Sequence, residues 1–206
     1  MINSTQQIAI AGNIGAGKTT MTEKLAHKFN LEPIYESVDD NPYLNDFYDN
    51  MGRWSFNLQI FFLYKRFSNQ IRLLKKNKGF IQDRSIYEDK EIFARNLKDL
   101  NFMSTRDWLT YQNLFNEMIN FIKEPDLIIY LKASTVTLIS RIKNRKRDFE
   151  KDISSEYIHS LNIYYDKWIS KISNNKVLII DTNNFNIFKD NDQFLKIIES
   201  ISNKLL

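Results

Sequence analysis

Short apolar segments alternate along the chain with longer stretches in which apolar residues recur every three or four positions. The short segments predict β-strands at residues 8–11, 33–35, 80–82, 127–131 and 177–180. The longer stretches predict helices, among them residues 53–76, 85–96, 105–123, 134–143, 157–172 and 192–205. One more helix is predicted to open at Asn41-Pro42 and to end at Gly52. Because the strands are too far apart for hairpins, the pattern predicts an α/β fold with a doubly wound, five-stranded parallel sheet and helices on both faces.

The loop between the first predicted strand and its helix carries a phosphate-binding motif. Residues 12–19 match G-x-x-x-x-G-K-[ST] completely, in the strand–loop–helix context that the motif requires. Its glycines let successive backbone N–H groups point at a phosphate, and the helix N-terminus adds a positive dipole end. The motif predicts a P-loop NTPase-type sheet that binds a nucleoside triphosphate through Gly12, Asn13, Ile14, Gly15, Ala16, Gly17, Lys18, Thr19 and Thr20.

Charged residues follow the second and third predicted strands, where the carboxyl ends of parallel strands gather ligands. Glu36 is placed to take a proton from an acceptor hydroxyl, and Arg84 to bridge the acceptor and the transferring phosphate. Lys18 is predicted to reach the β- and γ-phosphates, and Asp83 to hold Mg²⁺ together with the hydroxyl of Thr19. Judged by position alone, Glu36 has the alternative role of a solvated carboxylate, and Asp83-Arg84 that of a local ion pair.

A basic segment follows the fourth predicted strand and its helix. Arg141 and Arg145 fall on one helix face, and Arg147 comes just beyond them, in a polar stretch predicted to form a short lid at about residues 144–152. Arginines on such a lid would clamp the charge of a triphosphate. A nucleic-acid patch and a solvated helix face are the alternative interpretations.

The bulk composition limits the remaining classes of protein. With 206 residues and 43% hydrophobic content, residues 1–206 are predicted to form a single domain. The absence of cysteine excludes disulfides and thiolate metal sites. The first residues do not read as a signal peptide, and the longest apolar run, residues 60–64, is too short to span a bilayer. A cytoplasmic protein with no membrane association is therefore expected, and the net charge of +4 suits an anionic ligand.

Several longer motifs resemble the deoxyribonucleoside kinases of the non-thymidine-kinase-1 type, most closely their bacterial branch. The motifs are Glu36 after the second strand, FNLQIFFLYKRF at 56–67, QDRSIYEDKEIFARNL at 82–97 and RIKNRKRDFE at 141–150. The resemblance implies transfer of the γ-phosphate of ATP to the 5′-OH of a purine deoxynucleoside, deoxyadenosine first. It also implies Mg²⁺ as cofactor and a homodimer, with no nucleic-acid partner.

Position by position, the resemblance implies roles for the side chains around the acceptor. Glu36 would be the general base on the 5′-OH, with Arg84 on the same oxygen. The resemblance implies that Tyr48 and Glu150 contact the sugar and that Arg141, Arg145 and Arg147 contact the phosphates. The implied contacts to the base are Gln59, Arg66, Asp89 and Phe93. A glutamine amide suits adenine N7 and N6, whereas thymine, with carbonyls at its edge, should fit the pair of Arg66 and Asp89 poorly.

Three rival functions fit these motifs less well. A nucleoside monophosphate kinase of the thymidylate-kinase type shares the fold, but the charge of Glu36 would repel a phosphorylated acceptor. A GTPase is disfavoured because neither Asn77-Lys78 nor Asn175-Lys176 has an aspartate two places further on. An ATP-dependent nucleic-acid-binding protein would not need the full set of kinase motifs.

Overall fold

A parallel sheet of five strands forms the centre of the chain in a computed structural model, which describes residues 4–36, 40–145, 147–150 and 152–205. The strands are β1 (Gln7–Gly12), β2 (Glu32–Ile34), β3 (Phe80–Asp83), β4 (Leu127–Lys132) and β5 (Val177–Asp181). They lie in the order β2-β3-β1-β4-β5, and every neighbouring pair is parallel. The predicted five-stranded parallel sheet is confirmed.

The strand order explains why the first three strands carry the site. β1 and β3 are buried along their whole length, as inner strands of a parallel sheet covered on both faces are. The chain crosses from β1 towards one edge and then returns past β1 to the other, so right-handed crossovers put helices on both faces. Such a reversal leaves a crevice at the carboxyl ends of the strands on either side of it.

Nine α-helical segments surround the sheet in the described part of the chain. They are α1 (Lys18–Phe29), α2 (Leu44–Asp49), α3 (Met51–Lys75), α4 (Ile86–Glu88), α5 (Arg95–Asp99), α6 (Thr105–Ile119), α7 (Thr135–Arg145), α8 (Ser155–Ile169) and α9 (Asn191–Leu205). A π-helical segment, Asp89–Ala94, joins α4 to α5, and single 3₁₀ turns occupy Asp148–Glu150 and Asn174–Lys176. No helix of the described chain combines the length and apolar character needed to cross a bilayer.

The prediction that Gly52 ends a helix is wrong. The short helix α2 ends at Asp49, and Gly52 lies in the first turn of α3. The side chain of Asn50 begins α3, because its Oδ1 accepts a hydrogen bond from the backbone N–H of Arg53 at 3.0 Å. Pro42 lies in the turn before α2 and not in its first helical turn. The asparagine is therefore the boundary signal in this segment, and the glycine is tolerated next to it.

Candidate active site

A cavity of about 760 Å³ opens at the carboxyl ends of β1, β2 and β3. Most of the site residues that were predicted from the sequence line it. They are Ile14, Gly15, Gly17, Lys18, Thr19, Thr20, Glu36, Tyr48, Gln59, Asp83, Arg84, Asp89, Phe93, Arg141, Arg145, Arg147 and Glu150. Four of the predicted site residues do not line the cavity: Gly12, Asn13, Ala16 and Arg66.

The phosphate-binding loop has the backbone that its glycines predict. Gly15 and Gly17 have φ angles of +84° and +92°, in the left-handed region that side chains rarely adopt. The Nζ of Lys18 donates to the carbonyl of Asn13 at 3.1 Å, inside the loop. The side chain of Asn13 points away, since its amide donates to the carbonyl of Ile158 at 2.9 Å and to Asn162 at 2.8 Å on α8. Asn13 therefore fastens the loop to α8.

The Gly15→Ala substitution is expected to weaken nucleoside triphosphate binding about tenfold or more, because a side chain in this region costs roughly 1–2 kcal/mol. A Cβ at this position would also lie 3.0 Å from the carbonyl oxygen of Leu138 and 3.1 Å from Cγ1 of Ile142. Titration calorimetry with ATP measures the effect. Gly52→Ala is the matched control, because its Cβ would meet no atom closer than 3.7 Å. Equal affinities for the two variants would contradict the prediction.

Hard oxygen atoms meet where β3 ends beside the phosphate-binding loop. The hydroxyl of Thr19 donates to Oδ2 of Asp83 at 2.6 Å. The second oxygen of Asp83, Oδ1, is buried and has no hydrogen-bond partner among the residues that the structure describes. A buried carboxylate oxygen without a partner is costly, so this pair fits the oxygen ligands that Mg²⁺ prefers.

Four charged side chains form one network at the acceptor end of the cavity, in which Arg66, Arg84 and Asp89 are buried and Glu36 is partly exposed. Arg66 donates from Nε to Oδ2 of Asp89 at 2.6 Å and from a terminal nitrogen to Oε1 of Glu36 at 2.8 Å. Nε of Arg84 lies 3.0 Å from the same oxygen of Glu36. Both cations are therefore on Oε1, and no hydrogen bond reaches Oε2 of Glu36 from any described residue.

The network shifts the protonation equilibria of its members. Burial alone would raise the pKa of Glu36, but the attraction of Arg84 and Arg66 outweighs it and lowers the pKa to about 2. Burial raises the pKa of Asp89 to about 6, against the opposing attraction of Arg66. Burial, aided by Arg84, lowers the pKa of Lys18 to about 8. At neutral pH the network therefore consists of two carboxylates held by two guanidinium groups.

An aromatic and amide-lined end of the cavity lies beyond this network. Gln59 on α3 is 2% exposed, and its Oε1 is buried without a partner among the described residues. The guanidinium of Arg84 lies 4.0 Å from the centre of the Phe93 ring, and Phe62 lines the same space. An unpaired amide beside flat apolar rings can receive a planar ligand with donors and acceptors on its edge.

The arginine-rich segment closes the other side of the cavity. Glu150 is 5% exposed and accepts from Nε of Arg145 at 2.6 Å, with Arg147 3.8 Å away. Phe149 stacks on Tyr48 with 6.0 Å between ring centres, which joins this segment to α2. Arg141 donates to both oxygen atoms of Thr182, beyond β5. The predicted sugar-contact pair and the predicted phosphate arginines thus share one side of the cavity.

Sequence reasoning missed Glu88, which is completely buried behind the phosphate-binding loop. Its carboxylate accepts from the backbone N–H of Ser85 at 2.8 Å, from that of Gly12 at 3.2 Å and from the hydroxyl of Tyr165 at 2.8 Å. The available signal was the spacing of Ser85 and Glu88, which is that of a capping box. Glu88 therefore connects the start of the loop, the turn after β3 and α8.

The sequence and the fold of this chain match those of known proteins. A family model described as deoxynucleoside kinase matches residues 8–206. The deoxyadenosine/deoxycytidine kinase of Bacillus subtilis is 38% identical over 95% of this chain and 91% of its own length. The deoxyadenosine kinase of Dictyostelium discoideum is 40% identical over 94% of this chain and 78% of its own length. A solved structure of deoxyadenosine kinase from M. mycoides with bound dCTP superposes with a TM-score of 0.82 at 31% identity, covering 95% of this chain and all of that one.

These matches identify the protein family to which the chain belongs. The chain is a member of the deoxynucleoside kinase family, and it is an enzyme that phosphorylates a nucleoside to its monophosphate.

Proposed function

We propose that the protein transfers the γ-phosphate of ATP to the 5′-OH of a purine deoxynucleoside, with deoxyadenosine as the preferred acceptor. The observation that carries the proposal is the placement of Glu36 and Arg84 in the same cavity as the phosphate-binding loop. An uncharged sugar hydroxyl suits this carboxylate, whereas a second phosphate beside it would be repelled. The names of the relatives support an adenine-type acceptor without excluding cytosine.

The acceptor chemistry is divided between the two oxygens of Glu36. Oε1 is held by the two arginines, and Oε2 is left to accept a hydrogen bond from the 5′-OH. A carboxylate with a pKa of about 2 is a weak base, so it orients the hydroxyl early and takes its proton late. This order suits phosphoryl transfer, because a loose transition state needs little proton transfer before the phosphorus–oxygen bond breaks. Lys18 and the lid arginines Arg141, Arg145 and Arg147 would hold the phosphate charge.

Magnesium is the proposed cofactor, held by Thr19 and Asp83. The buried, unpartnered Oδ1 of Asp83 and the adjacent Thr19 hydroxyl are the support for this assignment. When bound, the ion would neutralise charge on the β- and γ-phosphates.

The base would enter the end of the cavity lined by Gln59 and Phe93. The Gln59 amide offers the donor and acceptor that adenine N7 and N6 require, and the Phe93 ring offers a stacking surface. Asp89 would accept a hydrogen bond from a base amino group, with Tyr48 and Glu150 at the sugar 3′-OH. Thymine has carbonyls at its edge and no amino group, so it would lose that bond and face a carboxylate.

We also propose that the enzyme is a homodimer that works in the cytoplasm without binding nucleic acid. The absence of cysteine suits a reducing compartment. Exposed apolar side chains beside α5 and α8, Leu100, Phe102 and Ile163, are a candidate contact surface. Light scattering coupled to size-exclusion chromatography measures the state of assembly.

The decisive experiment is an acceptor panel with ATP and magnesium. Deoxyadenosine should have the highest kcat/KM, followed by deoxyguanosine and deoxycytidine, with thymidine lowest. Deoxynucleoside monophosphates serve as the control acceptors. Phosphorylation of monophosphates alone would refute the proposal, and a preference for deoxycytidine or deoxyguanosine would refute only its choice of base.

A further inference from the structure

Arg66 lies outside the cavity wall, yet it touches three parts of the active site. Its Nε donates to Asp89 at 2.6 Å, and one terminal nitrogen donates to Oε1 of Glu36 at 2.8 Å. The other terminal nitrogen donates to the backbone carbonyls of Asp83 and Arg84, at 3.1 Å each. A planar guanidinium fixes the directions of these bonds relative to each other, which a flexible ammonium group cannot do.

The carbonyl of Arg84 belongs to an unusual turn. Arg84 has a φ angle of +70°, in the left-handed region that residues with side chains seldom adopt. Its backbone N–H is held by the carbonyl of Ile10 at 3.0 Å, and its carbonyl is held by Arg66. This turn directs the Arg84 side chain over Phe93 and towards Glu36. Arg66 is therefore one of the two groups that hold the strained backbone of Arg84 in place. This backbone conformation places the Arg84 guanidinium at the acceptor site.

The two arginines hold Glu36 differently. Nε of Arg84 is 3.0 Å from Oε1 but makes no hydrogen bond of acceptable geometry, whereas Arg66 makes one at 2.8 Å. Hydrogen bonds depend steeply on direction, and ion pairs do not. The orientation of the Glu36 carboxylate, and so the direction of Oε2, is set by Arg66.

We infer that Arg66 is a positioning residue that fixes Glu36 and Arg84 relative to Asp89, so that occupation of the base pocket sets the geometry of the phosphate acceptor site. The inference rests on the proposed function of Glu36 and extends it. Since one rigid group joins the base-recognising carboxylate to the acceptor-orienting one, a displaced base disturbs kcat and not only KM. Base selectivity should accordingly appear in kcat.

Arg66→Lys is the test variant, because it keeps the buried positive charge and removes the planar set of guanidinium N–H donors. It is expected to lower kcat for deoxyadenosine by about 100-fold, since one ammonium cannot hold both carboxylates and both carbonyls. Its KM for ATP should change by less than about threefold, because Arg66 is not among the residues that line the cavity. The matched control is Arg72→Lys, at an exposed arginine on the same helix, which should retain the kcat of the wild type.

A double-mutant cycle separates positioning from general support of the fold. Arg66→Lys should have little further effect on kcat in a Glu36→Gln background, because the oriented group is already absent. The variant Arg66→Gln/Asp89→Asn, which replaces the buried ion pair by a neutral one, should also lose kcat. Thermal unfolding of each variant is measured alongside.

Several results would overturn the inference. They are a kcat for Arg66→Lys within about threefold of the wild type, a loss confined to KM, and additive losses of kcat in the cycle. Failure of both Arg66 variants to fold would assign Arg66 a structural role instead. A wild-type protein that phosphorylates no deoxynucleoside would be a different result, because it would refute the proposed function itself.

Discussion

Glu36→Gln is expected to lower kcat for deoxyadenosine by roughly 100-fold or more, with a change of less than about threefold in KM. Glutamine keeps the size of the side chain and one acceptor oxygen, but it cannot take up the proton of the 5′-OH. The contact made by Oε2 strengthens only as the hydroxyl becomes a nucleophile, so its loss affects the transition state more than substrate binding. Steady-state kinetics with saturating ATP measures both constants.

The control for this variant is Glu32→Gln, at the carboxylate that begins β2, before Glu36 in the sequence. Thermal unfolding is recorded for both variants, because Glu36→Gln leaves the buried Arg66 and Arg84 with less counter-charge. Near-wild-type turnover by Glu36→Gln would remove Glu36 from the mechanism. A pKa of about 2 also implies that Glu36 stays ionised between pH 5 and 9, so its own titration should impose no acid limb in that range.

The sheet and the nucleotide loop were predictable because their signals are local. An uninterrupted apolar run such as residues 127–131 of β4 is what a strand covered on both faces requires. The phosphate-binding loop needs glycines at fixed places, and Gly15 and Gly17 have the positive φ angles that only glycine adopts without strain. The spacing of the glycines in the motif therefore follows from the backbone conformation that the loop requires.

Boundaries and irregular segments were less predictable, because side chains compete with propensity there. Gly52 has the residue type of a helix end, but the Asn50 side chain supplies a stronger local start. The π-helical turn Asp89–Ala94 gives no periodic signal of its own, since its apolar residues fit an α-helix about as well. It places both Asp89 and Phe93 at the cavity.

Contacts between distant parts of the chain account for the rest of what the sequence left out. The motif identifies Asn13 as a loop residue, but not that its amide bonds to α8. The family resemblance implies a base-pocket role for Arg66, but not its bond to Glu36, which is 30 residues away in sequence. Such partners are brought together by the strand order, and a single sequence does not record them.

Asp89→Ala is expected to raise the ratio of kcat/KM for thymidine over that for deoxyadenosine by about 100-fold. In the wild type a thymine carbonyl would face the buried carboxylate, whereas an adenine amino group would donate to it. A carbonyl that faces a buried carboxylate costs a few kcal/mol, and the alanine removes this cost for thymidine. For deoxyadenosine the same substitution removes a favourable hydrogen bond. Arg66 retains Glu36 as a partner, so the variant keeps one counter-charge at the buried guanidinium.

The matched control is Asp99→Ala, at an aspartate on α5 whose partner Arg95 is on the surface. An unchanged ratio in Asp89→Ala would dismiss Asp89 as the selector of the base. The wild type offers an independent check, because burial raises the pKa of Asp89 to about 6. As the pH falls through that value the carboxyl gains a proton and becomes a donor, which a thymine carbonyl accepts. Discrimination against thymidine should therefore be weaker at pH 5.5 than at pH 8 in the wild type and independent of pH in Asp89→Ala, because that variant has no carboxyl to titrate.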